Sequence, residues 1–262
     1  MERVDILWTG GFDSTYRVCQ LSLLPVEIQA YYIDADKKSF SQELKAMADI
    51  VAYIQANPST KCSLLPLVII KLDDIAPDKQ IEDSYKRIRS EAVIGSQYEW
   101  FARFAKQSGL ILELGFETDT NSVFNDYDDA HLTCRKVSRP LSDGEGILEY
   151  FEPVRDRSTE DMMNLFGPFR FGSPLYEMTK LQTVESYKAM GYEAVMSMTW
   201  FCAHPLKGKP CGMCNPCGTV MKAGMGFRLP FIARVLYYLF KANRTGRYVD
   251  GKIKAMYNRN WR

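Results

Sequence analysis

No stretch of this 262-residue chain is apolar for long enough to cross a membrane, because the most apolar late segment, Leu229 to Phe240, is interrupted by Arg234. That excludes a membrane-spanning helix and predicts a soluble protein without a membrane partner. The first residues lack the basic-then-apolar order of a secretory leader, since Asp5, Gly10, Gly11 and Asp13 stand where the apolar core would be. A cytoplasmic location is expected. The chain carries no internal repeat or low-complexity tract, and neither a Gly-Lys-Ser/Thr ending nor Gly-x-Gly-x-x-Gly follows its first apolar run. Histidine is scarce, with two residues, and net charge nearly vanishes, with 33 Lys and Arg against 32 Asp and Glu. The whole-chain balance thus shows no bias toward nucleic acid. Seven cysteines, an odd number unevenly spaced, argue against a disulfide framework and for a reducing compartment.

What remains is an ordinary globular composition, 46% hydrophobic and 25% charged, with a clear alternation of elements. Val4 to Trp8 reads as a strand, Gly10-Gly11 as a turn, and Tyr16, Cys19 and Leu23 as a helix face ended by Pro25. Val26 to Ile33 is a second strand. Ser39-Phe40-Ser41-Gln42 then predicts a capping box for a helix with Leu44, Met47, Ala48, Val51 and Ile54 inward. Leu64 to Leu72 is a third strand, Ser96-Gln97-Tyr98-Glu99 a second box, and Leu110 to Phe116 a fourth strand. From Asp126 to Gly172 the pattern predicts long loops around one short helix. Thr179-Lys180-Leu181-Gln182 caps a helix carrying Val184, Tyr187 and Met190. Continuously apolar strands separated by amphipathic helices predict an α/β fold, a parallel sheet with helices on both faces. Ligands of such sheets sit at the strands' carboxyl ends, so Thr9 to Ser14, Asp34 to Asp36 and Gly115 to Asp119 are expected to line one crevice.

The segment Thr9-Gly10-Gly11-Phe12-Asp13-Ser14-Thr15 lies where the first strand hands over to a helix. Two glycines allow close backbone approach to an anion, the hydroxyls of Thr9, Ser14 and Thr15 can donate, and the helix N-terminus supplies free N–H groups. An ordinary turn before a helix is the plainer alternative. Near the other end, Cys202, Cys211, Cys214 and Cys217 place four thiols within sixteen residues rich in turns. Soft ligands so spaced suit a structural tetrahedral Zn²⁺, with an iron–sulfur cluster or redox-active thiols as competing readings. His204 and His131 read as structural or exposed residues rather than ligands.

The loop resembles the Ser-Gly-Gly-x-Asp-Ser pyrophosphate loop of PP-loop ATP pyrophosphatases, with Thr9 for the first serine. Gly172-Ser173-Pro174-Leu175-Tyr176-Glu177-Met178-Thr179-Lys180, the capped helix and Cys-Gly-Met-Cys-Asn-Pro-Cys together resemble the C-terminal half of the QueC, 7-cyano-7-deazaguanine synthase-like, family. Gly115-Phe116-Glu117-Thr118-Asp119 is similar to that family's Gly-x-Glu-Thr-Asp stretch. The resemblance implies a Rossmann-like PP-loop fold over residues 1–225, including the zinc knuckle, followed by a helical tail over 226–262. It implies an AMP-forming, ATP-dependent carbon–nitrogen ligase that adenylates a carboxylate such as 7-carboxy-7-deazaguanine, with Mg²⁺ on the phosphates, in a homodimer. Thr9, Gly10, Gly11, Asp13, Ser14 and Thr15, with Gly95 and Gly115, would then hold ATP or its metal. Lys180 would neutralise the departing pyrophosphate, with Asp13 and Ser14 beside it, and Glu117 and Asp119 would face the substrate. The family's Ser-Gly-Tyr-Pro-Asp-Cys-Arg-like pocket is replaced by Thr120 to Asp126, and its Gly-Arg-Asn by Gly95-Ser96-Gln97. A peptide or protein end, as in QueC-like members of bacterial defence systems, is therefore an alternative acceptor. Transfer RNA modification and a non-catalytic binding module are further alternatives.

The neutral average conceals a split. From Lys222 to Arg262 there are ten Lys or Arg against Asp250 alone, a charge of +9 that leaves −8 on the rest. Interleaved aromatics such as Tyr237, Tyr248 and Trp261 suit either nucleic acid or an acidic protein partner. The competing reading is a helix packed through Ile232, Val235, Leu236 and Leu239.

Overall fold

A computed structural model describes residues 1–92, 94–116, 131–142 and 144–242. Its centre is β1 (Glu2–Leu7), followed by α1 (Phe12–Ser22) and β2 (Val26–Asp34), which runs parallel to β1 from Glu2 opposite Val26 to Leu7 opposite Tyr31. The expected third strand is present in two pieces, β3 (Ser63–Leu64) and β4 (Val68–Lys71), both parallel to β2. Pro66 lies between them, where a residue without an N–H cannot continue a ladder, and the Gln29 side chain donates to its carbonyl at 2.8 Å. On the other side of β1 come β5 (Leu112–Leu114) and β8 (Phe169–Gly172), again parallel.

The region expected to be loops contains β6 (Cys134–Pro140) and β7 (Ile147–Pro153), an antiparallel pair added to β8. The sheet is therefore mostly parallel with an antiparallel edge. Its β6, Cys-Arg-Lys-Val-Ser-Arg-Pro, is largely exposed and so lacks the apolar signature of a buried strand. Sheet order is β3-β2-β1-β5-β8-β7-β6, with β4 also on β2.

Helices follow the strands: α2 (Phe40–Ala56), α3 (Lys79–Glu91), α4 (Gln97–Ser108), α5 (Glu160–Phe166), α6 (Lys180–Ala189), α7 (Glu193–Met198), α8 (Asn215–Lys222) and α9 (Phe231–Tyr237). Side chains alternate across a strand, so Leu112 and Leu114 join Ile81, Ile88, Phe101 and Phe104 of α3 and α4 in one core, while Glu113 points to the face that carries α1. Two of the expected capping boxes do not form. The Ser39 hydroxyl donates to Glu43 at 2.6 Å instead of engaging Gln42, and Ser96 is already helical, leaving Glu99 to pair with Arg103 at 2.7 Å. In α2 the buried face is Ala46, Met47, Ile50 and Ile54, with Ala48 outside. The Thr179 box is complete, Thr179 accepting from the Gln182 N–H and the Gln182 side chain from the Thr179 N–H.

Contacts divide the chain into two compact units. One comprises residues 1–35 and 46–199; the other comprises 36–45 and the residues from Trp200 onward. The second is built around the four cysteines, with Val220, Met225, Leu229 and Ala233 as its small apolar core. No helix of the described residues is long and apolar enough to cross a membrane.

Candidate functional site

In the first unit, the loop after β1 turns through Gly10, whose φ of 66° lies in the left-handed region open to glycine. Gly11 then caps α1 with no side chain to bond the first-turn amides, so the N–H groups of Phe12, Asp13 and Ser14 stand without a side-chain cap. Such a terminus attracts an anion. Thr9, Gly11, Asp13 and Ser14 are half-buried around it. Thr15 departs from expectation. It is fully buried, and its hydroxyl accepts from the Trp8 indole at 2.9 Å, so it supports the turn from beneath and presents no donor to a ligand.

Gly115, after β5, is the seat of this loop. A methyl group there would stand 2.2 Å from Ser14 Cα and 2.5 Å from its nitrogen, so only glycine lets β5 end against the first turn of α1. Gly95 is exposed in the turn before α4, where Tyr98 packs edge-on against Phe116, the neighbour of Gly115. Glu117 and Asp119 lie outside the described residues.

Lys180 reaches the loop from the first residue of α6. Its amine is 2.5 Å from an Asp13 carboxylate oxygen and 4.7 Å from the centre of the Phe12 ring. Helix α6 is docked there by aromatic side chains: Tyr187 donates to the Phe12 carbonyl at 2.7 Å and packs on both Phe12 and Tyr16. The Tyr16 hydroxyl meets the Ser186 hydroxyl at 2.7 Å. Sequence spacing marked Tyr187 as an inward residue but not as the hydrogen-bond donor that ties α6 to the loop.

A second anchor was not anticipated. Arg17 of α1, buried, forms a two-pronged pair with Glu113 of β5 at 2.6 and 3.1 Å and also donates to the carbonyls of Ser173 and Glu149. Its stem crosses Gly172, where a Cβ would come within 2.4 Å of Arg17 Cδ. The only available signals were an arginine on an apolar helix face and a glutamate inside an apolar strand.

In the second unit, the sulfurs of Cys202, Cys211, Cys214 and Cys217 are all buried and lie within 4.8 Å of one another. Cys202 and Cys214 approach to 3.8 Å, Cys211 and Cys217 to 3.9 Å. Four thiolates around one ion at a bond length of about 2.3 Å would be separated by about 3.8 Å, so the set fits a single tetrahedral metal ion. A multi-iron cluster would hold them farther apart. Amides of Cys211, Met213 and Cys214 donate to sulfur at 3.2 to 3.3 Å, the support expected around metal-bound thiolates. Hydrogen bonding among the four sulfurs lowers the thiols of Cys214 and Cys211 and raises those of Cys202 and Cys217. Exposed His204 does not belong to the set, and the backbone of His131 caps the start of α5 through Thr159. Burial raises the Cys19 thiol and pushes Cys62 up to about 11, so neither is a ready nucleophile at neutral pH.

An open helix terminus on a mostly parallel sheet, a lysine facing it and a four-cysteine knuckle define the class of the molecule, an α/β protein with a glycine loop open to an anion and four cysteines that could hold a metal ion. Residues 155–226, which include Lys180 and all four cysteines, match the model of the family described as queuosine biosynthesis protein QueC. Over that segment the chain is QueC-like. It is 34% identical over 72 residues to the 7-cyano-7-deazaguanine synthase of Erythrobacter litoralis (strain HTCC2594), a match spanning 27% of this chain and 29% of that relative. A solved structure, a 4-thiouridine synthetase–RNA complex with bound ATP, is 15% identical with a TM-score of 0.35, covering 74% of this chain and 42% of that one.

Proposed function

We propose that the protein is an ATP-using, AMP-forming enzyme of the QueC-like kind, which adenylates a carboxylate for attack by a nitrogen nucleophile. The observation that carries this reading is the contact between Lys180, inside the QueC-like segment, and Asp13 of the glycine loop, outside it. Two motifs far apart in sequence thereby converge on one helix terminus. Gly10, Gly11 and the first-turn amides of α1 would hold the phosphates, with Thr9 and Ser14 donating from the sides. The acceptor carboxylate attacks the α-phosphorus and the bond to the β-phosphate oxygen breaks, leaving an acyl-adenylate and pyrophosphate. Lys180 would balance the charge that develops on the leaving group, and Asp13 would keep the amine aimed at the loop until ATP enters. Mg²⁺, which would share charge on the phosphates, would be held by Asp13. Zinc is the metal we assign to the knuckle, where it would be structural, because all four positions are filled by cysteine.

The acceptor is 7-carboxy-7-deazaguanine or a related carboxylate, with ammonia as the nucleophile. Incubation with ATP, Mg²⁺, ammonium and that acid should release AMP and pyrophosphate and form amide or nitrile. AMP formed with another acceptor would retain the adenylation and remove this substrate. No turnover of ATP with any carboxylate would remove the reading.

Lys180→Ala is expected to lower kcat by about 10²–10³-fold, the cost of losing a donor aimed at developing charge, with little change in thermal stability. Undiminished turnover would remove Lys180 from the chemistry. Gly115→Ala should act differently, because the added methyl must push the Ser14 backbone aside. A displacement near 1 Å costs about 10²-fold in a positioned reaction. Nucleotide binding should weaken with it, and wild-type ATP affinity in Gly115→Ala would show that the loop does not hold the phosphates.

A further inference from the structure

Helix α9 and the π-helical turn that continues it, Tyr238–Ala242, carry apolar side chains on their outside. Phe231 and Ile232 are each 72% exposed, Val235, Tyr238 and Leu239 are also exposed, and their spacing of three, four and seven makes one stripe. The opposite side of the helix is fixed. Ala233 is buried, and its carbonyl oxygen would lie 1.9 Å from a Cβ on Gly212, so α9 sits directly on the knuckle backbone. Between α9 and the loop before Cys211 runs a groove of about 700 Å³, lined by Pro205, Leu206, Pro210, Pro230, Ile232 and Leu236. A tight turn, with Lys207 and Gly208 both at positive φ, sets Lys207 and Lys209 on its rim.

Charge restricts what can cover this surface. From Trp200 to Ala242 the sequence holds six cations, Lys207, Lys209, Lys222, Arg228, Arg234 and Lys241, and no Asp or Glu. The same face of a second copy would bring like charges together, and residues 243–262 add six more Lys or Arg against Asp250 alone. Nucleic acid would satisfy the cations but leave an aliphatic groove without a complement. We infer that the groove and the α9 stripe form a docking surface for an acidic, amphipathic segment of another protein, with apolar side chains seated against Ile232 and Leu236 and carboxylates meeting Lys207, Lys209 and Arg234. The concavity selects a protruding chain over a flat lipid surface, and the knuckle beneath preorganises it.

The test uses a fluorescent peptide of about eighteen residues, five helical turns with Leu on one face and Glu on the other, titrated into the full-length, metal-loaded protein. Saturable binding is expected, weakened about tenfold or more in Ile232→Asp and in Lys207→Glu/Lys209→Glu, and unchanged in Lys188→Glu of the other unit. Retained metal content and melting temperature keep the variants interpretable, since the altered side chains lie at the surface. Failure to bind, equal binding of a peptide with Lys for Glu, or equal affinity in Ile232→Asp would overturn the inference. So would binding of phosphatidylglycerol vesicles or transfer RNA through these residues without the peptide, or a dimer in sedimentation that Ile232→Asp abolishes.

Discussion

Cys217→Ser is expected to abolish metal binding at the four cysteines and unfold the second unit while the sheet of the first persists. Cys217 is fully buried at the start of α8, with its sulfur 3.9 Å from that of Cys211. Serine there would offer a hard, protonated hydroxyl where a soft thiolate is required. Little else could sustain the unit, whose apolar core is Val220, Met225, Leu229 and Ala233. Structural zinc contributes about 10–16 kcal/mol of binding free energy in small knuckles at neutral pH, comparable with the entire stability of an ordinary domain. Elemental analysis should therefore find the metal absent, and hydrogen exchange should rise across Cys202–Tyr237 without rising in β1, β2 and β5. Cys62→Ser, outside the cluster, is the control and should change neither. Full metal content and intact protection in Cys217→Ser would show that the four sulfurs do not share an ion. A strong chelator should reproduce the effect in the unaltered protein.

The knuckle was legible in sequence because its chemistry is local: four thiols on sixteen turn-rich residues have few other uses. The glycine loop was legible for the same reason, as were β1, β2 and the capped start of α6. What sequence did not disclose depends on partners distant in the chain. Nothing near Thr15 tells that its hydroxyl faces Trp8 and the core, and nothing near Gly115 tells that a helix start will rest on it. Strand β6 escaped because an exposed edge strand needs no apolar face. Ser39 and Ser96 show the limit of a four-residue signature, since a glutamate one turn on, or an arginine beyond it, offered a stronger partner than the helix end.

Glu113→Ala should destabilise the first unit by about 3–5 kcal/mol, read from denaturant midpoints at unchanged slope. The substitution strands the guanidinium of Arg17, a residue only 2% exposed, with the Ser173 and Glu149 carbonyls as its remaining acceptors. The cost of an unpaired buried charge exceeds what the pair contributes, so a double replacement, Arg17→Met with Glu113→Leu, should recover most of the loss. Recovery in the double variant separates this mechanism from mere loss of volume, which would make the two changes additive. The functional consequence follows from what Arg17 joins. One end of α1 forms the loop floor, its middle is held to β5 by Glu113, and the same guanidinium grips Ser173, seven residues before Lys180. Arg17→Met/Glu113→Leu therefore keeps the core but releases that grip. If the pair only stabilised the fold, its catalytic constants would match those of the unaltered protein. If it also aligns the lysine with the loop, kcat should fall with a smaller change in KM for ATP, because the amides proposed to hold the phosphates belong to α1 itself and stay in place.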